Sequence, residues 1–555
     1  WSLRGRGARG FFGTRGNASV CSGSMKRFMT ILAALALALV LLAPSDVQAR
    51  QHASSARSSV GSTGSHVGHR HSDAFLGFMD KHGKNYCGEI HPNACETSML
   101  REEIFNRNKK MVEAHNANPD RTFNMALGKF ADLSEEEFER VHLRYRPSAA
   151  RVAKVADELT YEKVASYLGE AVAAAGTSQA QLEARIEEES GKQFSWTTPP
   201  NGYNAVVSPV HNQQDICASC WAFVTADSVA SRWAVLNGGQ VPVEDMSVKQ
   251  LMACDTQDNG CNTGNMYTAY DWIGDNGGLA SRRDYNDPKY VSAGPEDDDT
   301  ATCRDDPDLR LALDTPAMCD IKMTGGNVAL MQAVRGAGPI AIGINANNLQ
   351  FYESGVINAA SCPPAGRGIQ SINHAALLVG WGEENGVKYW LVKNSYGLDF
   401  GENGYFRLER AAPSPDTLFG TCGLLFESVY PVVIPAGDRA DEGTLRSQCT
   451  EGSVFKQDYY RNEADNPGAA ASAMAEAEAA LSASLGKMSA RGAALGAAPW
   501  RVSVARGVDR RWEGARAFAA GASLVVVAAA GVALVGARLA GGRRERERET
   551  IPLIR

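Results

Sequence analysis

The chain has 555 residues, enough for more than one folded unit, and its 44% hydrophobic and 21% charged residues are the balance of a globular protein. A formal net charge of −7 argues against a nucleic-acid binder, which would carry a basic face. The 12 cysteines and the hydrophobic segment near each end carry more information than the bulk numbers.

Residues 1–24 are Gly/Arg-rich, precede Met25 and read as upstream sequence outside the fold. From Met25 a positive start (Lys26, Arg27), the apolar run Ile31 to Ala43 and the small-x-small exit Val47-Gln48-Ala49 describe a secretory signal peptide over 25–49. The chain beyond residue 49 is expected to enter an oxidising lumen, where disulfides persist. Residues 51–72 are rich in Ser, Gly and His; they read as a solvated linker rather than a metal site.

Residues 73–146 are charged and amphipathic, with helical apolar spacing at Phe75, Phe78 and Met79 and again at Ile104, Phe105, Met111 and Val112. An Ala-rich helical stretch near Tyr161 to Glu189 leads to a compact zone, 193–433, which holds eight of the cysteines. Residues 435–516 are Ala/Gly-rich and read as a stalk with one exposed helix. Ala517 to Ala537 is 21 residues without a charge, the length of a membrane span, and 538–555 would be a cytosolic tail.

Only two histidines lie beyond residue 190, His211 and His374. His374 opens the apolar, β-branched run "HAALLVGWG", a buried strand by pattern, and Asn394 succeeds a second strand, "KYWLVK". A strand-borne His and Asn with a cysteine far upstream is an arrangement for thiol nucleophilic catalysis. Upstream, "QQDICASCWAF" holds Cys217 and Cys220, and Cys220 falls in the first turn of a predicted helix, where unpaired N–H groups and the helix dipole favour a thiolate. A zinc site needs a second pair at fitting spacing, and the six residues between Cys254 and Cys261 fit poorly. One cysteine of the pair reads as structural and the other as reactive.

These blocks resemble the papain family of cysteine proteases, in its cathepsin L-like branch. "SPVHNQQDICASCWAF" is similar to the family's nucleophile segment, "MSVKQLMACD" and "NGCNTG" to its second helix and glycine-rich pocket rim, "NHAALLVGWG" to its histidine strand and "YWLVKNSYG" to its asparagine loop. The resemblance implies an α+β, two-domain fold with a helical left half and a barrel-like right half. It implies Cys220 as nucleophile, His374 as its partner and Asn394 as the residue that orients the imidazole. Gln214, six residues before Cys220, is the implied oxyanion donor; because the local sequence has one residue more than the usual block, Gln213 is the fallback. The implied bridges are Cys217–Cys261, Cys254–Cys303 and Cys362–Cys422. Cys319 and Cys449 have no family slot, and either pair with each other or stay free. Cys87 and Cys95 are close enough in sequence for a local bridge. No cofactor or metal is implied.

"REEIFNRNKKMVEAHN" resembles the ERFNIN helix of the family's inhibitory prosegment through Arg101, Phe105, Asn108, Val112 and Asn116, with Thr97 in the leading Glu slot. This implies a zymogen whose partners are its own prosegment and peptide substrates. The pocket for the second residue before the scissile bond maps onto Gly264 and Met266 at the rim, Gly343 on the wall, Asn373 before the histidine and Glu427 at the floor. A carboxylate there, beside an apolar wall, predicts tolerance of both hydrophobic and basic side chains. Tyr396 and Phe400 stand where the family has tryptophans, and Ala218 replaces a glycine beside the nucleophile.

In the tail, Glu549, Leu553 and Ile554 fit an acidic-dileucine pattern that resembles adaptor-binding sorting signals for endosomes and lysosomes. The expectation is a membrane-tethered, luminal protease of the lysosome, vacuole or endosome. A tethered protease-like binding or trafficking protein without catalysis is the alternative.

Overall fold

The computed structural model describes residues 71–87, 95–148, 178–199, 202–213, 217–241, 243–285, 302–303, 308–362, 371–412, 414 and 417–457. The expected signal peptide, the membrane span 517–537, the tail residues Glu549, Leu553 and Ile554, most of the stalk, and Gln214 lie outside them. No helix among the described residues is long and apolar enough to cross a membrane.

The first described residues form a helical segment. Helix α1 (Asp73–Lys81) is capped by Ser72 and buries Phe75, Phe78 and Met79 against α2 (Glu96–Ala117). Phe105 of α2 packs on Phe75 and Phe78 with ring centroids 5.5 and 5.0 Å apart. The polar residues of α2 hold the loop C-terminal to it. Asn108 Nδ2 donates to the carbonyls of Ala131 and Leu133 at 2.9 and 2.8 Å, and Asn116 pairs with both main-chain groups of Met125 at 2.7 and 3.0 Å. Arg101 grips both oxygens of Glu137, the N3 residue of α3 (Glu135–His142), whose capping box with Ser134 fixes the start of that helix. The ERFNIN spacing thus puts side chains of one helix under the turns of an otherwise irregular loop.

Helix α4 (Gln179–Ser190) is fastened by a buried Arg410, which contacts Glu183 at 2.6 Å and Glu187. The central helix α5 (Cys220–Leu236) buries 14 of its 17 residues, so it shows almost no polar face. Its many alanines and serines let α6 (Val248–Cys254) and α7 (Met266–Asp275) approach on one side and the sheet on the other. Helix α8 (Gly326–Ala337) packs on α4.

Eleven strands are described: β1 (Phe123–Met125), β2 (Phe194–Ser195), β3 (Leu279–Ala280), β4 (Leu311–Ile321), β5 (Ile340–Ile344), β6 (Tyr352–Ile357), β7 (His374–Glu384), β8 (Val387–Lys393), β9 (Tyr405–Glu409), β10 (Glu427–Pro435) and β11 (Ser453–Lys456). They form one sheet in the order β1-β6-β9-β8-β7-β5-β10-β4-β11, with β2 on β7 and β3 on β4. The β7–β8 hairpin turns at Asn385-Gly386, both at positive φ, as an Asn-Gly turn requires. The N-terminal segment supplies β1, so it is continuous with the sheet.

Two features differ from the sequence-based expectation. Residues 435–457, expected to begin a stalk, fold back instead: β11 pairs with β4, and Cys449 is bonded to Cys319 in that strand. The short helix α9 (Glu442–Arg446) lies between, with Leu445 in the core. The ordered unit also begins before residue 193, because Arg410 needs the α4 carboxylates. The other bridges are Cys87–Cys95, Cys217–Cys261, Cys254–Cys303 and Cys362–Cys422.

Candidate active site

Cys220 is the first residue of α5 and the free cysteine among the described residues; its side chain is fully buried. The Cys217–Cys261 bridge and the 3.3 Å hydrogen bond from the Ala218 N–H to the Cys261 carbonyl fix the loop that delivers it. Its thiol meets the backbone N–H groups of Ala375, directly after His374, and of Trp221. The strand β7 starts at His374 in register with Ile344 of β5, and the contact of Ala375 with the Cys220 thiol puts this strand end next to the N-terminus of the central helix.

The proton positions are set by the bonding. Asn394 Oδ1 accepts the N–H of Ser395 at 2.9 Å, which fixes the orientation of the amide. His374 Nε2 lies 2.8 Å from that same oxygen and must therefore carry hydrogen. In the neutral ring the lone pair is then on Nδ1, a buried atom without a hydrogen-bond partner. Tyr396 covers the ring with centroids 5.2 Å apart, and Phe400 packs edge-on against Tyr396 at 5.3 Å. The two replaced tryptophan positions thus still exclude water from the His374–Asn394 bond.

Burial pushes the Cys220 thiol up to about 12, against the lowering effect of the amides it meets, and burial pulls His374 down to about 4, with the Asn394 bond opposing. Both groups are therefore neutral in this state, whereas the helix position alone predicted a thiolate. What buries them is the N-terminal segment. Phe130, Phe138 and His142 pack on Tyr396 with centroids 5.2, 6.2 and 5.8 Å away.

Residues 144–148 then run along the cleft and bond to both walls. Thr263 Oγ1 donates to the Arg144 carbonyl at 2.8 Å, the Tyr145 N–H donates to the Asn373 carbonyl at 3.2 Å, and Asn265 Nδ2 donates to the Arg146 carbonyl at 2.8 Å. At the bottom Glu427 accepts from Tyr145 Oη at 2.8 Å and from the Ser148 N–H at 2.6 Å. Gly343 is paired with Glu427 across β5 and β10, and a Cβ there would sit 3.1 Å from Glu427 Oε2. Gly264 lies so close to Trp221 that a Cβ there would overlap the indole, so this rim position requires glycine. Met266 begins α7 and is fully buried.

The structure therefore brings Cys220, His374, Asn394, Asn373, Gly343 and Glu427 to one cleft. Gln214 lies outside the described residues. The neighbouring Gln213 is described: its Oε1 accepts from Ser395 Oγ at 2.7 Å and its Nε2 donates to the Cys217 carbonyl at 2.9 Å. Sequence reasoning missed Asn265, Tyr145 and Ser148, whose roles depend on where the N-terminal segment crosses the cleft.

A family model described as papain family cysteine protease matches residues 191–432, and one described as cathepsin propeptide inhibitor domain matches 75–138. A digestive cysteine proteinase of Homarus americanus (its number 3) is 30% identical over 359 residues, covering 63% of this chain and 94% of the relative. The chain belongs to the papain family of cysteine proteases. A cathepsin L-like proteinase of Phaedon cochleariae is 28% identical over 361 residues, covering 64% of this chain and 92% of that one. The digestive procathepsin L 3 of Tenebrio molitor larval midgut is a solved structure with 26% identity and a TM-score of 0.46; the match covers 64% of this chain and 97% of that one.

The protein is a papain-like cysteine endopeptidase made as a zymogen, and the N-terminal segment is its inhibitory propeptide. The family models give the papain-like α+β fold with its propeptide region. The closed cleft, the neutral thiol and the neutral imidazole describe the latent form.

Proposed function

We propose that the mature enzyme is an acid-compartment endopeptidase in which Cys220 is the nucleophile and His374 its acid–base partner. Removal of the propeptide readmits water to the cleft, which takes away the burial that keeps both groups neutral. The proton then passes from Sγ to Nδ1, and the thiolate attacks the scissile carbonyl. The resulting oxyanion is held by the Cys220 N–H and a glutamine side chain. His374 gives its proton to the leaving amine, and water hydrolyses the thioester. Asn394 holds the ring in the tautomer this requires. Of the two glutamines, the bonds of Gln213 to Ser395 and to the Cys217 carbonyl favour it over Gln214.

The substrate pocket in this reading is formed by Gly264, Met266, Gly343, Asn373 and Glu427, and it takes apolar or basic side chains. The buried carboxylate next to a glycine wall supports this. The working division of the chain is signal peptide 25–49, propeptide 73–146, peptidase 193–433 with helix α4 and the 435–457 return folded against it, then the rest of the stalk, span 517–537 and cytosolic tail with its sorting residues. Five disulfides among the described residues favour a secretory route. The lysosomal, vacuolar or endosomal destination and the membrane tether rest on the sequence alone.

The single observation that carries the catalytic reading is the His374–Asn394 bond, which leaves the ring lone pair on Nδ1 in a strand whose next residue, Ala375, meets the free thiol of Cys220 at a helix start. The test is labelling with a peptidyl epoxide after incubation at acid pH, the adduct being mapped by mass spectrometry. An adduct on Cys220 that appears with propeptide cleavage and is abolished by His374→Ala is expected. Correctly processed, disulfide-bonded protein with an unlabelled Cys220 would leave only a tethered binding protein.

A further inference from the structure

The cleft pocket holds a phenol with both hydrogen-bonding roles of its hydroxyl filled. Tyr145 Oη donates to Glu427 Oε2 at 2.8 Å and accepts from Asn265 Nδ2 at 3.1 Å. The direction of each bond is settled by its partner. The amide Nδ2 can only donate, so the hydroxyl oxygen accepts from Asn265 and its hydrogen points to Glu427. The Asn265 Oδ1 accepts the N–H of Tyr267 at 2.8 Å, which places Nδ2 on the pocket side. Tyr145 and Glu427 expose no surface and Asn265 only 6%, so water does not take over these roles while the pocket is filled.

The shape of the pocket agrees with its chemistry. Gly343 contributes no side chain, and a Cβ there would lie 3.1 Å from Glu427 Oε2, so the carboxylate reaches the pocket past an open wall. A phenylalanine would fill the same volume but leave Oε2 without this donor and Nδ2 without this acceptor. Each group would give up one hydrogen bond inside a buried pocket, and a site built around a hydroxyl discriminates more strongly than one that measures size. An arginine donates to Glu427 but offers Asn265 no acceptor; a leucine does neither.

We propose that the mature enzyme is selective for tyrosine at the second residue before the scissile bond, and that Tyr145 of the propeptide occupies this pocket as an internal mimic of that side chain. The inference rests on Cys220 as nucleophile and on Glu427 as the floor of that pocket. Tyrosine-bearing peptides are then the preferred substrates among the apolar and basic ones the pocket admits.

The full chain is processed at acid pH, its active sites are titrated with a peptidyl epoxide, and kcat/KM is measured for matched peptides. These differ only in carrying Tyr, Phe, O-methyltyrosine, Leu or Arg at that position. Tyrosine is expected to exceed phenylalanine by about tenfold or more, and O-methyltyrosine, which accepts but cannot donate, to fall with phenylalanine. Asn265→Ala is expected to narrow the Tyr/Phe ratio. Because the substrate series uses unaltered enzyme, it does not depend on whether variants at the buried Glu427 fold. Equal cleavage of Tyr and Phe peptides by enzyme that labels at Cys220 overturns the selectivity alone. Absence of label overturns the catalytic reading and the selectivity with it.

Discussion

Ser395 Oγ donates to Gln213 Oε1 at 2.7 Å, joining the residue after the catalytic-loop asparagine to the segment that leads into the nucleophile. The main chains are joined as well, Gln213 N–H to the Ser395 carbonyl at 2.7 Å. With Oε1 committed to Ser395, Nε2 faces the Cys217 carbonyl and keeps a second hydrogen for a substrate oxyanion.

Gln213→Ala is therefore expected to lower kcat by about 10²–10³, the usual loss for one oxyanion donor. Gln214→Ala is expected to fall far short of that. Epoxide alkylation of Cys220 forms no oxyanion, so its rate separates loss of the donor from collapse of the site. A large loss in the Gln214 variant with little in the Gln213 variant would return the role to Gln214.

His142 gives the zymogen a proton-linked release. Its ring is fully buried among Phe130, Phe138 and Tyr396, and both nitrogens lack partners. Burial, then Lys129, His374 and Lys84, lowers its pKa from 6.5 to about 3. The bound state thus refuses a proton that the released state accepts below 6.5. Acid favours release, and the effect saturates near pH 3. At pH 4.5 this linkage weakens the hold of the propeptide by about a hundredfold. His142→Phe, which keeps the aromatic packing, is expected to slow processing at pH 4.5 and leave it unchanged at pH 7.5. Identical pH profiles for the two zymogens would exclude His142 as the sensor.

A second histidine sets the opposite limit on the folded domain. Burial alone would lower His211, but Asp227 at 3.6 Å and Asp245 at 3.4 Å raise it to about 9. Asp227 also resists its own burial, held at about 2 by Lys393 (2.7 Å) and His211. For the histidine, stabilisation is complete below 6.5 and lost as pH rises through 9; for the aspartate it is complete above 3.8 and lost as pH falls through 2. Both are present in full only between about pH 4 and 6.5. The melting temperature of the mature enzyme is expected to fall from pH 6.5 to 9, and His211→Gln to flatten that slope. A His211→Gln enzyme with the same slope would place the pH sensitivity elsewhere.

Cys220, His374 and Asn394 could be singled out because each sits in a block whose local pattern, helix start or strand end, is set by near neighbours. The ERFNIN spacing was legible for the same reason, since one helix carries it. The choice between Gln213 and Gln214 was not: one extra residue before Cys217 shifts the count, and what speaks for Gln213 is its bond to Ser395, 182 positions away. Tyr145 in the pocket was equally invisible, because it meets Glu427 across 282 residues. The return of β11 was hidden by composition, since the Ala/Gly-rich run beyond it outweighs a four-residue strand. The protonation states also went unread, because they depend on a lid from another part of the chain.

The sheet ends in two unlike borders. On one side β11 is fastened by the Cys319–Cys449 bond and closes the β4 edge permanently. On the other, β1 belongs to the propeptide and pairs with β6 from Tyr352 to Gly355. Maturation discards that strand, so the working enzyme carries a raw margin of main-chain donors and acceptors that the latent form did not have. Activation thereby opens a sheet edge as well as the cleft, and Glu353, exposed on β6, leaves a charge on that edge of the kind that discourages strand-to-strand pairing.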